Sequence, residues 1–430
     1  MTLKTDSKKA KNLGVLELIA IALGGMVGGG IFTILGLSVA MIGPYTPLAI
    51  LLGGLIAALA AYSYIKLGVY YQDEGASYSF FKRTFPQSEF AASLIGWWVI
   101  FGYISTIALY AYTFSFYALS GFLIAESEWM RKIIAAAVIL FFALINIWSV
   151  KGMGKIEDVM VYSKLVILMV ISFVLINNSN TTIPSLVSEN PSANWLSIFM
   201  VASLTFVAYE GFQLVINAVN EMENPDKNIP KAIYSSIGLA IVIYVVISLG
   251  AILSIPFVDI IANQEFALAA GADKTLGHWG TDLVVLGALL ATCSAISGTL
   301  FGASRQMAVI SSEGFFPKVL AYRKGGIPVV SIFSMAGFAI LLVFIGNLKV
   351  ILEFGSVTFL LVSLLTAFAN YKIRDKTQSS LVIVLIAMVG LFFGMLLILL
   401  FEWQEQPEQL IFIGGLYGVL TLGAWLFAKK

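Results

Sequence analysis

Three features of this 430-residue sequence could do chemistry. The first is Lys164, about ten residues into an apolar run that starts near Gly154. At about 1.5 Å per helical residue that places its amine near the middle of a ~30 Å hydrocarbon layer. The side chain is too deep to snorkel to water. An amine held there is a candidate to exchange a proton, unless a carboxylate such as Glu210 keeps it permanently charged. The second feature is Glu210, in the stretch Phe206-Val207-Ala208-Tyr209-Glu210-Gly211-Phe212-Gln213. A charge at mid-membrane costs about 2.5–3.5 kcal/mol on insertion scales, so Glu210 must face water, a partner or a ligand, or serve as a structural hydrogen-bonding group. The third is Gly24-Gly25-Met26-Val27-Gly28-Gly29-Gly30. Each glycine costs a helix about 1 kcal/mol relative to alanine, so the run predicts an interruption. Interrupted backbone at membrane depth persists only in protein or around a polar cavity. The amides of Gly29 and Gly30, at the start of the second half-helix, then form an anion site suited to a carboxylate. Close packing through Gly24/Gly28 and Gly25/Gly29 is the other reading of the same glycines.

The elements that must position these residues are membrane helices. The chain is 59% hydrophobic and 11% charged, against about 45–50% and 25% in soluble domains. About twelve apolar stretches have the length that crosses a bilayer, among them 14–42, 154–178, 195–220, 230–255 and 280–311. Runs such as Leu381 to Phe401 are apolar on every face, which excludes an alternating barrel. The fold class is therefore all-α and polytopic. The N-terminus superficially resembles a signal peptide but has no persuasive cleavage site, so an uncleaved first segment is expected. Of the 25 Lys and Arg, only Arg131, Lys132, Lys274 and Lys349 fall in one set of connections. Lys164 lies inside a span, and the remainder fall on the other side with both termini. By the positive-inside rule both termini are cytoplasmic, in a multi-pass protein of the cell membrane.

Several function classes lack their parts. A net charge of +1 gives no basic surface for nucleic acid. One cysteine, Cys293, excludes internal disulfides and cysteine-built metal centres, and is expected to be a buried structural thiol. The one histidine, His278, sits in Gly277-His278-Trp279-Gly280, read as a loop or interfacial segment. No cofactor and no metal is implied. The turn Asn220 to Ile233 contains Pro225, expected to end one helix, and Pro230, expected to start the next. Ser294, Ser297 and Thr299 could line a cavity, though such hydroxyls also stitch membrane helices together. The abundant aromatics are expected to be mostly lipid-facing or interfacial.

Three segments together give the chain a likeness. Gly28-Gly29-Gly30-Ile31-Phe32, Tyr209-Glu210-Gly211-Phe212 and the turn Glu223-Asn224-Pro225-Asp226-Lys227-Asn228-Ile229-Pro230-Lys231-Ala232-Ile233 resemble the amino acid-polyamine-organocation (APC) superfamily, in particular its ApcT-type amino acid permeases. The likeness is strongest over residues 12–330. It implies a LeuT-like fold with a five-plus-five inverted repeat, broken helices 1 and 6, and substrate bound between them. The expected organisation is a tail at 1–12, a first repeat at 13–178, a second at 195–371, and two further spans with a short tail at 379–430. Carried over by position, the resemblance implies that Gly29 and Gly30, with Gly28, meet the substrate carboxylate. The carbonyls of Met26, Val207 and Glu210 meet its ammonium, and Tyr103, Phe206, Tyr209 and Gly211 complete the surroundings. Lys164, near span 1 and Ser294, resembles an amine standing in for a sodium ion. Glu210 departs from the ApcT pattern, which has an uncharged residue, and would suit a cationic amino acid or polyamine.

The expected function is secondary active amino acid transport by alternating access, coupled to protons through Lys164. Obligate exchange of amino acids or polyamines with Lys164 structural is the same-class alternative. A membrane enzyme lacks its motifs, and a non-transporting amino-acid sensor lacks a soluble domain in the short termini. The expected partners are an amino acid substrate, protons and the lipid bilayer.

Overall fold

The structure, a computed structural model, describes residues 13–120, 122, 127–148, 150–179, 181–189, 194–263 and 266–428. The expected tail at 1–12, with Lys4, Lys8, Lys9 and Lys11, lies outside the described residues, as do Lys429 and Lys430 and the side chains of Lys151, Lys155 and Lys274.

In chain order the helices are α1 (Val15–Met26), α2 (Gly30–Ile42), α3 (Thr46–Tyr71), α4 (Ala76–Thr84), α5 (Glu89–Leu119), α6 (Glu128–Trp148) and α7 (Val150–Asn177). They continue with α8 (Ile183–Glu189), α9 (Trp195–Thr205), α10 (Leu214–Asn217), α11 (Pro225–Ser254), α12 (Phe257–Asn263), α13 (Ala267–Leu276) and α14 (His278–Ser312). The series ends with α15 (Val329–Ile345), α16 (Leu348–Lys372), α17 (Arg374–Thr377), α18 (Leu381–Glu405) and α19 (Pro407–Ala428). Among the described residues there is no strand, only isolated bridges such as Leu13 with Met222. Ten helical stretches among them have the length and apolar character to cross a membrane, and α1 and α15 are shorter apolar helices. The protein is an all-helical polytopic membrane protein.

The distribution of side chains suits a bilayer. Large apolar residues such as Val389 of α18, Ile411 of α19 and Phe173 of α7 point outward, while α18 buries only a third of its most apolar window. The interior carries the polar groups, including Lys164, Glu157, Glu210, Glu353 and Glu402. Lipid offers no hydrogen bonds, so polar side chains are driven onto one another inside the bundle. Within this interior six tyrosines, Tyr64, Tyr103, Tyr110, Tyr117, Tyr209 and Tyr244, are all fully buried. Their hydroxyls can bond the carbonyls that broken helices leave free.

The turn before α11 also differs from the expectation. Pro225 starts α11 rather than ending the preceding helix, and Pro230 lies inside it. At the first helical position the missing proline N–H has no intrahelical partner to lose. At Pro230 one early bond is forgone, close to the frayed end where the loss is small. Asn224, at φ 38°, turns the chain into the helix. The same turn is pinned to the start of α1, where Leu13 donates to Glu221 O at 3.1 Å and accepts from Glu223 N at 3.0 Å.

Candidate functional site

The glycine run does interrupt the first span. α1 ends at Met26, Val27 leaves helical geometry at ψ 75°, and α2 begins at Gly30. The carbonyls at the end of α1 therefore have no following turn to bond to. Lys164 of α7 reaches this end from the side: its Nζ donates to Val27 O at 2.6 Å, to Leu23 O at 3.1 Å, which also accepts from Val27 N at 2.9 Å, and to Gly24 O at 3.4 Å. It also donates to Ser294 Oγ of α14 at 2.5 Å, and that hydroxyl donates onward to Ala291 O at 3.0 Å. Three short acceptors from two helices use all three hydrogens of an ammonium, whereas a neutral amine has only two. Lys164 thus ties α7, the broken end of α1 and α14 together, and it is fully buried. The carboxylate suggested as its partner, Glu210, makes no ion pair with it. Ser297, by contrast, accepts from Asn146 of α6 at 3.4 Å, the stitching role.

The sixth span breaks as well. α9 ends at Thr205, a 3-10 turn covers Phe206–Tyr209, Glu210 is extended at ψ 136°, and Gly211 stands at φ 131°. That conformation requires glycine, and the position is closed sterically too, since a Cβ on Gly211 would lie 2.6 Å from Gly25 C and Met26 N. The two breaks are therefore in backbone contact. Tyr244 of α11 bridges them, with its hydroxyl 2.7 Å from Met26 O and 2.9 Å from Ala208 O. Tyr110 of α5 donates to Gly25 O at 2.9 Å.

The glycines of the first break serve packing in this arrangement. A Cβ on Gly28 would lie 2.6 Å from Ala295 Cβ, on Gly29 2.6 Å from Thr113 Oγ1, and on Gly30 3.2 Å from Ala208. Both sequence readings of the run therefore apply to the same residues: the amides of Gly29 and Gly30 head α2, and their Cα atoms touch neighbours. Of the carbonyls considered for an ammonium, Met26 O accepts Gly28 N at 2.9 Å and Tyr244, while Val207 O accepts Glu210 N at 3.1 Å.

Around the second break, Glu210 is buried and takes a hydrogen bond from Gln213 through Oε2, while its Oε1 has no partner. The hydroxyl of Tyr103 is likewise buried and unpartnered. Tyr64, Tyr103 and Tyr110 lie within electrostatic reach of Glu210. Phe206 is buried in the turn, whereas Tyr209 faces α3, where it donates to Ile50 O at 2.8 Å.

Sequence reading missed Tyr244 and Tyr110. An aromatic within an apolar helix carries no sign of which face it occupies. His278 opens α14 rather than lying in a loop, nearly fully exposed, as an interfacial residue is, and 3.4 Å from Asp273. Cys293 differs from expectation in being only partly buried. Among the described residues no group of three or more His, Cys, Asp or Glu could hold a metal.

Two interrupted helices thus stand in backbone contact inside an apolar, polytopic helical bundle. The family model described as amino acid permease matches residues 13–420, and the chain belongs to that family. It is similar to the inner membrane transport protein YbaT of Escherichia coli (28% identical, 94% of each chain). It is also similar to the chloroplastic cationic amino acid transporter 7 of Arabidopsis thaliana (26% identical, 84% of this chain and 63% of that protein). A third relative is the branched-chain amino acid permease BcaP of Bacillus subtilis (24% identical, 72% of this chain and 69% of that protein).

Proposed function

We propose that the protein is a secondary active amino acid transporter of the cell membrane, working by alternating access with a proton as the coupling ion. The observation that carries this reading is the Lys164 ammonium bonded to Val27 O, Leu23 O and Ser294 Oγ. When protonated it fastens the broken end of α1 to α7 and α14. A neutral amine has one donor fewer and carries no charge toward the carbonyls of α1, so its deprotonation loosens the tie and frees α1 to move. Proton binding then favours one arrangement of α1 over the other, which is the differential affinity that coupling needs.

The substrate carboxylate is assigned to the amides of Gly29 and Gly30 at the positive end of α2. Its ammonium is assigned to the carbonyls of Val207, Glu210 and Met26, the last after Tyr244 turns its hydroxyl aside. Gly28, Gly211, Phe206 and Tyr103 surround it, and Tyr209 contributes backbone. The unpartnered Glu210 Oε1 and Tyr103 hydroxyl favour a substrate with a second positive group, a cationic amino acid. Both termini are assigned to the cytoplasm on the distribution of Lys and Arg. The test is uptake of labelled amino acids into proteoliposomes with and without an imposed pH gradient, competed by unlabelled amino acids and polyamines. Gradient-driven accumulation of an amino acid supports the proposal, and equal uptake with and without the gradient would reduce the protein to an exchanger.

A further inference from the structure

Glu157 is a buried ionisable group that the coupling scheme so far does not use. It lies on α7, seven residues before Lys164. Two helical turns separate them, about 10 Å of rise, so both project from one face. Its side chain is 3% exposed, and Oε1 has no hydrogen-bond partner.

The space it fills is defined by glycines. A Cβ added to Gly24 of α1 would lie 2.6 Å from Glu157 Oε1, and one added to Gly298 of α14 would lie 2.5 Å from it. The carboxyl end is thus clamped between α1 and α14 in a slot that only glycine walls leave open. Gly24 joins the two ionisable groups, since its carbonyl also accepts from Lys164. A buried carboxylate oxygen without a donor, as Oε1 is here, is costly to keep ionised, so the slot in its closed form suits the neutral acid. The charged groups that act on it are Lys164 and Asp158, both on α7, while Glu17 of α1 lies near Asp158 and Cys293 of α14 near Lys164. From α11 the hydroxyl of Tyr244 is engaged by the carbonyls of Met26 and Ala208, and α6 presents the neutral Asn146.

We propose that Glu157 is a second proton-binding site of the transport cycle, loaded when α1 closes on α7 and α14 and emptied when α1 moves away. On opening, the carboxyl O–H breaks, the proton passes to water entering the slot, and the carboxylate remains with its electron pair. On closing, a proton from water adds back to the same carboxyl before it is buried. This rests on the reading of α1 as the moving element held by Lys164.

The experiment compares Glu157→Gln, Lys164→Ala and the parent in proteoliposomes given labelled alanine or arginine on the outside, scoring uptake against pH and protons moved per amino acid. Glu157→Gln fills the slot like the neutral acid, so counterflow exchange stays within about twofold of the parent. The pH profile loses one ionisation and fewer protons accompany each amino acid. An infrared pH titration of the purified proteins gives a second readout, in which a buried carboxylic acid band present in the parent disappears in Glu157→Gln. If Glu157→Gln fails to insert, Glu157→Asp takes its place and must shift the pH profile. An unchanged profile, proton ratio and carboxyl band, with Lys164→Ala losing its pH response, overturns the role of Glu157 alone. If neither variant alters the pH response, the Lys164 reading falls as well.

Discussion

Lys164 Nζ donates to the carbonyl of Val27 at 2.6 Å, across the junction between an intact helix and a broken one. Val27 is the first residue beyond α1, so this carbonyl has lost its place in a helical ladder. A lysine from another helix replaces the missing donor. In the proposed cycle the geometry of the break depends on whether that amine carries its third hydrogen, and this is how a proton would be coupled to the backbone that presents Gly29 and Gly30.

The anion site is best tested from the ligand side, because the glycines also pack. Gly29→Ala would press its Cβ on Thr113, so loss of uptake in that variant would report packing as much as recognition. Amino acid amides and methyl esters keep the ammonium and side chain but lack the carboxylate. Losing charge-assisted bonds to two amides costs about 1.5–3 kcal/mol, so these analogues should compete roughly ten- to a hundredfold more weakly than the parent amino acid. Equal competition would remove the carboxylate from the head of α2.

Glu210 should set the charge preference. Arginine and lysine are expected to compete for uptake more strongly than neutral amino acids of similar size. Glu210→Gln should lose that preference at least tenfold, the order of one charge-assisted bond, while still carrying neutral substrates. A competition panel in which only neutral amino acids act would leave Glu210 as a structural partner of Gln213.

Tyr244→Phe removes a hydroxyl that touches both breaks. Buried hydrogen bonds in membrane bundles contribute roughly 0.6–2 kcal/mol, so the variant should insert and show a modest loss of thermal stability. Uptake should fall further than stability, since Met26 and Ala208 are no longer held together. Parent-like uptake and melting would show that the bridge has no influence on the cycle.

Much of this was legible in the sequence, for reasons that particular residues make plain. Gly24 to Gly30 announced the first break because glycines in such density cannot hold a helix, and Lys164 announced itself because no lipid-facing lysine is stable at that depth. Glu157 did not, since a carboxylate within the first turn of an apolar run reads as solvated. Its seven-residue spacing from Lys164 was the available signal. Tyr244 could not be found, because an apolar helix does not show which of its aromatics face inward. Pro230 was misplaced because proline punctuates helices in sequence, yet a helix tolerates one near its first turns.

The measurement that bears most directly on the account is accumulation of a labelled amino acid by Lys164→Ala under an imposed pH gradient, with substrate binding measured in parallel. Removing the amine leaves the carbonyls of Leu23, Gly24 and Val27 without their shared donor. The account predicts that binding persists and downhill uptake continues, but that the inside-to-outside ratio no longer rises with the gradient as it does in the parent. Parent-like, gradient-driven accumulation by Lys164→Ala would contradict proton coupling at this residue and leave it as a structural tie.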